Sequence, residues 1–189
     1  FPLMAPGMEV IVSNKLYGGT INLMGKSFRK FGWNAVFVDN DNPEAFRAAV
    51  TEKTRAIFVE SLANPGGVIV DLEAIAKIAQ EAEVPLIVDN TMATPWLCRP
   101  FEWGADLVVH STTKFLSGQG NAMGGIVIDS GRFPGFGNAK YPSLSEPCPD
   151  YNGLTFAETF GDMAFTLYSH AVSLRDLGCT QSPMNAWIT

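Results

Sequence analysis

The chain has 189 residues, of which 47% are hydrophobic and 17% charged, and its formal net charge at pH 7 is -6. This length and composition suit one folded domain with a sizeable core. The negative charge, with lysine and arginine scattered singly, argues against a nucleic-acid partner. No apolar run approaches the roughly 20 residues that span a bilayer, and no signal-peptide pattern is visible, so we expect a cytoplasmic protein without a membrane partner.

Short apolar runs alternate with amphipathic stretches from residue 9 to residue 130, which is typical of βαβ units around a parallel sheet. The runs show no polar alternation, as expected of strands that are covered on both faces. We therefore predict an α/β domain with a doubly wound, largely parallel sheet flanked by helices. The predicted strands are residues 10–12, 35–38, 56–59, 86–88, 107–109 and 126–128.

Helices are predicted between these strands, because apolar residues recur there at three- and four-residue spacing. Asp71 is a suitable N-cap for the second of them. The first apolar set is Ile21, Met24, Phe28 and Phe31, and the second is Leu72, Ile75, Ala76 and Ala79.

The pattern changes beyond Gly131, where proline, glycine and serine become frequent and predict a long loop over residues 131–160. We expect a helix to begin near Gly161 and to run towards Arg175. It would end at Gly178, whose missing side chain suits a left-handed C-cap.

Both ends of the chain look cut. The first residue is Phe1 and not methionine, and residues 184–189 resemble the opening of a helix. We therefore expect residues 1–189 to be a fragment that lacks a C-terminal domain.

The cysteines and histidines form no recognisable site. Cys98, Cys148 and Cys179 are far apart and include no CxxC pair, which predicts reduced thiols. His110 and His170 are too few and too widely separated to build a metal site with them. We predict neither a disulfide framework nor a bound metal.

Polar residues follow three successive predicted strands, at the edge where open α/β sheets bind ligands. A carboxylate, a lysine and hydroxyls at one edge suit a ligand that carries a phosphate and an aromatic nitrogen. Pyridoxal phosphate has both, and it has an aldehyde with which a lysine amine can condense. The groups are Glu60, Ser61 and Asn64 after the third strand, Asp89, Asn90 and Thr91 after the fourth, and His110 to Lys114 after the fifth.

These segments resemble motifs of the cysteine and methionine metabolism family of fold type I pyridoxal-phosphate enzymes. The matches keep the family's order and cover nearly the whole chain, so the resemblance implies the large cofactor domain of that fold. The matching segments are Leu16-Tyr17-Gly18-Gly19-Thr20, Glu60-Ser61 with Asn64-Pro65, Ile87-Val88-Asp89-Asn90-Thr91, Thr94-Pro95, Gly104-Ala105-Asp106 and Ser111-Thr112-Thr113-Lys114.

The resemblance also implies roles for individual residues. Lys114 is similar to the lysine that holds the cofactor and moves protons, and Asp89 to the carboxylate that pairs with the pyridine nitrogen. Ser111 and Thr113 resemble the hydroxyl donors to the cofactor phosphate. Tyr17 resembles the ring that stacks on the cofactor and takes part in leaving-group chemistry, and Asn64 the residue near the 3-hydroxyl.

Each of these residues also has a simpler interpretation. A lysine after a strand is usually a solvated surface residue, and Asp89 or the two hydroxyls could cap a helix. Tyr17 could be a part-buried core residue, and Asn64-Pro65 could be a turn. The surrounding motifs favour the functional interpretation, most strongly for Lys114.

Within the family, the segment after Gly131 resembles the sulfhydrylase branch. That branch carries out γ-replacement on a small amino-acid substrate: sulfide displaces the acetate of O-acetylhomoserine and gives homocysteine, a step of methionine biosynthesis. A homo-oligomer, a dimer of dimers, is implied. The arginine that grips the substrate carboxylate would lie outside this chain.

Three alternatives stay open: methionine γ-lyase chemistry, cystathionine synthase or lyase chemistry, and a catalytically inert fragment. The chain departs from the branch at a few positions, which concern the choice of substrate. Asn152 and Gln119 stand where histidine is frequent, and Ser169-His170 replaces a turn that usually contains arginine.

Overall fold

The computed structural model describes all 189 residues and is built on one six-stranded sheet. Its strands are β1 Glu9–Ser13, β2 Asn34–Val38, β3 Thr54–Glu60, β4 Leu86–Asp89, β5 Leu107–Ser111 and β6 Gly125–Asp129. The strand order is β2-β1-β3-β4-β5-β6. The first five strands are parallel, and β6 pairs antiparallel with β5. Each observed strand contains the predicted one, so the predicted fold class is confirmed.

Helices connect the strands. The α-helices are α1 Gly18–Asn22, α2 Pro43–Ala48, α3 Leu72–Glu81, α4 Thr94–Leu97, α5 Pro142–Ser145, α6 Phe156–Phe160, α7 Ala164–Tyr168, α8 Arg175–Leu177 and α9 Pro183–Ile188. Wider π-helical turns cover Leu23–Ser27, Thr112–Leu116 and Ser169–Leu174, and tighter 3-10 turns cover Phe28–Phe31, Pro100–Trp103, Pro134–Gly137, Pro149–Tyr151 and Gly161–Met163. As predicted, Asp71 caps α3, because its Oδ1 accepts the Ala74 N–H at 3.0 Å. None of the helices combines the length and apolar character that crossing a bilayer requires.

The core lies on both faces of the central strands. Val10 and Val12 of β1 belong to one buried cluster, whereas Ile11, which points to the opposite face, belongs to the other. This division follows from the two-residue period of a strand. Ile75, on α3, packs in the second cluster and is fully buried. Continuous apolar runs were therefore a correct indication of two-sided burial for the central strands.

Two-sided burial is wrong for the edge strands. The side chains of Ile126 and Val127 in β6 are 46% and 60% exposed, and Phe37 in β2 is 39% exposed. Each of these strands has a single neighbouring strand. The first helix also packs less fully than its spacing predicts, because Met24 is buried while Phe31 is 61% exposed.

The segment 131–160 is more ordered than a long loop. It forms short helical turns and supplies Tyr141, Leu144 and Phe156, three almost fully buried side chains of the first cluster. The density of proline and glycine correctly indicated frequent turns. It did not reveal that the aromatic residues between the turns fill a core.

The helical region that follows begins earlier than predicted, at Phe156, and is interrupted at Gly161, where φ is 52°. It ends before Gly178. That glycine has the predicted positive φ of 75°, but its ψ of -120° lies outside the left-handed helical region.

Tyr141 provides a test of how this segment is attached. Its buried hydroxyl donates a hydrogen bond of 3.0 Å to the Arg55 carbonyl oxygen, which joins the segment to β3. We expect Tyr141→Phe to lower the free energy of unfolding by about 1–2 kcal/mol, because a buried carbonyl loses its partner. Urea unfolding of the variant measures the change. Tyr151→Phe is the matched control, since its hydroxyl bonds the Ala171 carbonyl at 3.0 Å in a less buried place and should cost less. Equal stability of Tyr141→Phe and the parent protein would contradict the proposed attachment.

The partly buried carboxyl of Asp106 should make the free energy of unfolding depend on pH. Its Oδ2 accepts the Leu86 N–H at 2.8 Å, which joins the starts of β4 and β5. Burial raises the pKa of this carboxyl to about 6, the nearby Asp129 adds to the rise, and the Leu86 N–H opposes it. In an unfolded chain the pKa is roughly 3.9. The folded state therefore binds the proton more tightly, and the stability that protonation provides is lost as the pH rises from about 4 to about 6.

Asp106→Asn should remove this dependence, because an amide oxygen can accept the same N–H without ionising. Relative to the parent protein, the variant should gain about 1–3 kcal/mol of unfolding free energy between pH 4 and pH 7. Urea unfolding at the two pH values measures the gain, and Asp162→Asn, at an exposed position, serves as the control. If the difference in unfolding free energy between Asp106→Asn and the parent protein is the same at pH 4 and pH 7, Asp106 is not the source of the pH dependence.

Candidate active site

A cavity of about 280 Å³ opens at the carboxyl ends of β3, β4 and β5. All six side chains that the sequence singled out line it: Tyr17, Asn64, Asp89, Ser111, Thr113 and Lys114. The remaining lining residues are Glu60, Leu62, Thr91, Met92 and Met123. The structure therefore brings together the six residues with predicted roles. Four other polar residues that follow the same strands do not line the cavity and are buried: Ser61, Asn90, His110 and Thr112.

The protein also has a larger cavity, so cavity size alone would have indicated a different candidate site. A cavity of about 700 Å³ lies between α3 and residues 132–138. Its one lysine, Lys77, forms an ion pair with Glu73 at 3.1 Å on the exposed surface of α3. The smaller cavity contains the chemically distinctive groups, and its position matches the edge at which open α/β sheets bind ligands.

The Asp89 carboxylate is held by one of its two oxygens. Asp89 is the last residue of β4, and its Oδ1 accepts both the backbone N–H of Thr91, at 2.9 Å, and the Thr91 hydroxyl. The Thr91 Oγ1 in turn accepts the Ser111 N–H at 2.8 Å. The Asp89 Oδ2 accepts no hydrogen bond from the chain, so one oxygen of a fixed carboxylate is available to a ligand.

The two hydroxyls after β5 differ in their engagement. The Ser111 hydroxyl makes no hydrogen bond within the chain. The Thr113 Oγ1 accepts the Gly124 N–H at 3.0 Å and donates to the Gly124 carbonyl oxygen at 3.2 Å. Ser111 is thus free to donate to a ligand, whereas Thr113 would first have to leave the Gly124 carbonyl.

Lys114 is exposed and lies in the turn that follows β5. Its backbone departs from the helical conformation of that turn, with φ -95° and ψ -121°. The amine forms no ion pair and no hydrogen bond within the chain. A primary amine without a partner in a cavity that also contains a carboxylate can react with a ligand carbonyl or accept a proton.

Glu60 is the buried acid of the site. It ends β3, is 4% exposed and lies opposite Asp89 in the strand register. Burial raises the pKa of the Glu60 carboxyl, hydrogen bonds from the Tyr17 and Asn64 backbones oppose that rise, and the charge of Asp89 adds to it. Tyr17 itself is 54% exposed at the rim.

Glu60 and Thr91 had no individual role predicted from the sequence, although Glu60 begins the motif Glu60-Ser61 and Thr91 ends the motif Ile87-Val88-Asp89-Asn90-Thr91. A polar residue at the last position of a buried strand was the available indication for Glu60. For Thr91, nothing in the sequence distinguishes a hydroxyl that orients Asp89 from one that caps the next turn.

Thr91→Val tests the link between Asp89 and Ser111, because it removes the hydroxyl and preserves the side-chain shape. The variant should lose about 1–2 kcal/mol of unfolding free energy, since the Ser111 N–H loses its acceptor. Urea unfolding and amide exchange at Ser111 measure the two effects. Thr159→Val, at an exposed position with no side-chain hydrogen bond, should change neither. Unchanged protection of the Ser111 amide in Thr91→Val would disprove the link.

The chain matches the family described as Cys/Met metabolism PLP-dependent enzyme over residues 1–189. It is 47% identical to the O-acetyl-L-homoserine sulfhydrylase of Leptospira meyeri, over 98% of this chain and 43% of that protein. It is 39% identical to the homocysteine synthase of Schizosaccharomyces pombe, over 98% of this chain and 44% of that protein. The chain thus spans less than half the length of these relatives.

Solved structures of related enzymes also resemble this chain. A putative O-acetylhomoserine (thiol)-lyase from Campylobacter jejuni, which contains a pyridoxyl-lysine monophosphate, superposes with a TM-score of 0.92 at 37% identity, over 99% of this chain and 46% of that one. A cystathionine gamma-lyase from Lactobacillus plantarum superposes less closely, with a TM-score of 0.73 at 28% identity, over 98% of this chain and 40% of that one. The match over the whole chain establishes that the chain belongs to the Cys/Met metabolism family of PLP-dependent enzymes.

Proposed function

We propose that the cavity at the ends of β3, β4 and β5 holds pyridoxal 5'-phosphate. The chemistry of the groups that face it supports this proposal: an amine without a partner at Lys114, a free carboxylate oxygen at Asp89 and a free hydroxyl at Ser111. These suit, respectively, an aldehyde, a protonated ring nitrogen and a phosphate. The free Asp89 oxygen carries most weight, because Thr91 holds the other one and fixes the direction of the carboxylate.

The remaining predicted residues fit the same assignment. Tyr17, half exposed at the rim, would stack on the cofactor ring, and Asn64 would lie near its 3-hydroxyl. Thr113 would add a second hydroxyl for the phosphate once it leaves the Gly124 carbonyl. The bound cofactor supplies an electron sink for negative charge that develops on the substrate.

Lys114 has two tasks in this proposal. Its amine would hold the cofactor in the resting protein, and it would carry protons to and from the substrate during turnover. The free oxygen of the Asp89 carboxylate would pair with the ring nitrogen and favour its protonated form, which supplies the electron sink. Tyr17 lies at the rim, where it can assist departure of the leaving group.

We further propose the reaction. O-acetylhomoserine and sulfide give homocysteine and acetate by γ-replacement, carried out by the protein that contains this cofactor domain. Relatives that share 39% and 47% identity with the chain are named for this chemistry, which supports the choice. The cystathionine gamma-lyase structure is less similar to this chain, in both sequence and fold, than the O-acetylhomoserine (thiol)-lyase structure is. We therefore rank methionine γ-lyase and cystathionine chemistry second.

The setting of the enzyme is part of the same proposal. The three cysteines of this chain are all unpaired, which supports a reducing compartment such as the cytoplasm. Large apolar side chains are exposed on α4, where Trp96 is 89% and Leu97 74% exposed. Exposed apolar surface of this kind supports assembly into a homo-oligomer, for which we propose a dimer of dimers.

Lys114→Ala tests the catalytic assignment in the protein as its gene encodes it, with any sequence that flanks this chain. Homocysteine formation should fall by at least about 100-fold, since general acid-base groups contribute about 10² to 10⁴-fold each. The variant should also lose the yellow absorbance of the bound cofactor. Lys30→Ala, at an exposed position remote from the cavity lining, should keep both. Turnover at the parent rate in Lys114→Ala would overturn the assignment.

The choice among reactions needs a direct comparison of substrates. Homocysteine should form from O-acetylhomoserine and sulfide, with little product from methionine or cysteine alone. Preferential breakdown of methionine or cysteine would instead establish a lyase. A colourless protein that turns over none of these substrates would identify an inert chain.

A further inference from the structure

The Glu60 carboxylate bonds two separate backbone segments at the rim of the cavity. Its Oε1 accepts the Tyr17 N–H at 2.7 Å, and its Oε2 accepts the Asn64 N–H at 2.9 Å. Tyr17 follows β1, whereas Asn64 follows β3 and is only four residues from Glu60. Both carboxylate oxygens are therefore used, which offsets the cost of burying a charged group at 4% exposure.

The bond to Tyr17 replaces a local contact that is missing. Tyr17 occupies the N-cap position of α1 and makes no side-chain capping bond. In many helices a glutamate three residues into the helix accepts the N–H of the N-cap residue. The corresponding position here is Thr20, and Glu60 accepts that N–H from a different part of the fold instead.

The Tyr17 ring depends on this anchor because it has little support of its own. Tyr17 is 54% exposed, and its ring lies so close to Gly19 that a Cβ there would stand 2.5 Å from the Tyr17 Cε1. The side chain is thus placed by its own backbone and by the absence of a side chain at Gly19. A shift of the backbone at Tyr17 would move the ring with it.

We propose that Glu60 is a positioning residue: through its two backbone hydrogen bonds it sets the location of Tyr17 relative to Asn64, and so the geometry with which the rim receives the cofactor. This inference rests on the proposed cofactor site. It assigns Glu60 no contact with the cofactor.

We call the two hydrogen bonds from the Tyr17 and Asn64 N–H groups to Glu60 the clamp. Two substitutions distinguish the effect of the clamp from the effect of the negative charge of Glu60. Glu60→Gln has the same length, but its amide presents only one acceptor oxygen, and its NH₂ group faces the second N–H. Glu60→Asp keeps the charge and both oxygens but is one methylene shorter, so it cannot reach both segments. If Glu60 acts as a clamp, both variants are impaired.

The first measurement is a titration of the protein, in the form that its gene encodes, with pyridoxal 5'-phosphate alone. Both variants should bind it about ten-fold more weakly, the effect expected from loss of one buried hydrogen bond. The visible circular dichroism of the bound cofactor should also change, because it reports the asymmetric surroundings of the ring. Glu158→Gln, an exposed glutamate on α6, is the matched control and should behave as the parent protein does.

Affinity and dichroism at the parent level in both variants would overturn the inference. So would an impaired Glu60→Gln beside an unaffected Glu60→Asp, since charge alone would then explain the effect.

The second measurement needs no cofactor. Amide exchange in the parent protein should show protection at Tyr17 and Asn64. Glu60→Gln keeps one acceptor oxygen, so it should lose protection at one of these two amides, relative to Ile57, whose N–H bonds the Pro85 carbonyl oxygen at 3.1 Å. If the variants do not fold, exchange in the parent protein is measured alone. Slow exchange of the Tyr17 and Asn64 amides then supports the clamp, and exchange as fast as in open loops contradicts it. A parent protein that binds no pyridoxal phosphate refutes the proposed function, while the exchange result still decides whether the clamp exists.

Discussion

The parallel pairing of β3, β4 and β5 is the constraint on which the site depends. Their register aligns Glu60 with Asp89 and Asp89 with Val109, so three strands end at nearly the same level. Because parallel strands also point the same way, the residues after each one emerge at one edge of the sheet. Lys114 and Asp89 are far apart in the chain and lie in one cavity for this reason.

Bringing two carboxylates together at the edge of a sheet is unfavourable, and the surrounding hydrogen bonds offset that cost. Asp89 is satisfied at one oxygen by Thr91, whereas Glu60 is satisfied at both by backbone N–H groups. The two acids therefore differ in what they can do. Glu60 has a backbone N–H on each oxygen and joins the segments of Tyr17 and Asn64, while Asp89 retains a free oxygen for a ligand.

Periodicity was sufficient for the strands, and the motifs shared with the family singled out six of the residues that line the cavity. Each strand of the sheet was predictable because a buried strand needs a continuous apolar run, as in residues 56–59. The polar residues that follow such runs were predictable candidates because the geometry of parallel sheets gathers them at one edge. Exposure was less predictable. Residues 126–128 form an apolar run like that of a central strand, yet β6 lies at the edge of the sheet with Val127 60% exposed.

What the sequence by itself determined is the strand pattern, the edge at which the site lies and the six side chains that meet there, because each follows from local periodicity or from a motif. Only the tertiary structure decided which of these groups are free. The Thr113 hydroxyl is bonded to Gly124, the Ser111 hydroxyl is not, and the Glu60 carboxylate is fully used by Tyr17 and Asn64. These differences depend on hydrogen bonds between segments distant in the chain, and no local pattern encodes the distance between two atoms that only folding brings together.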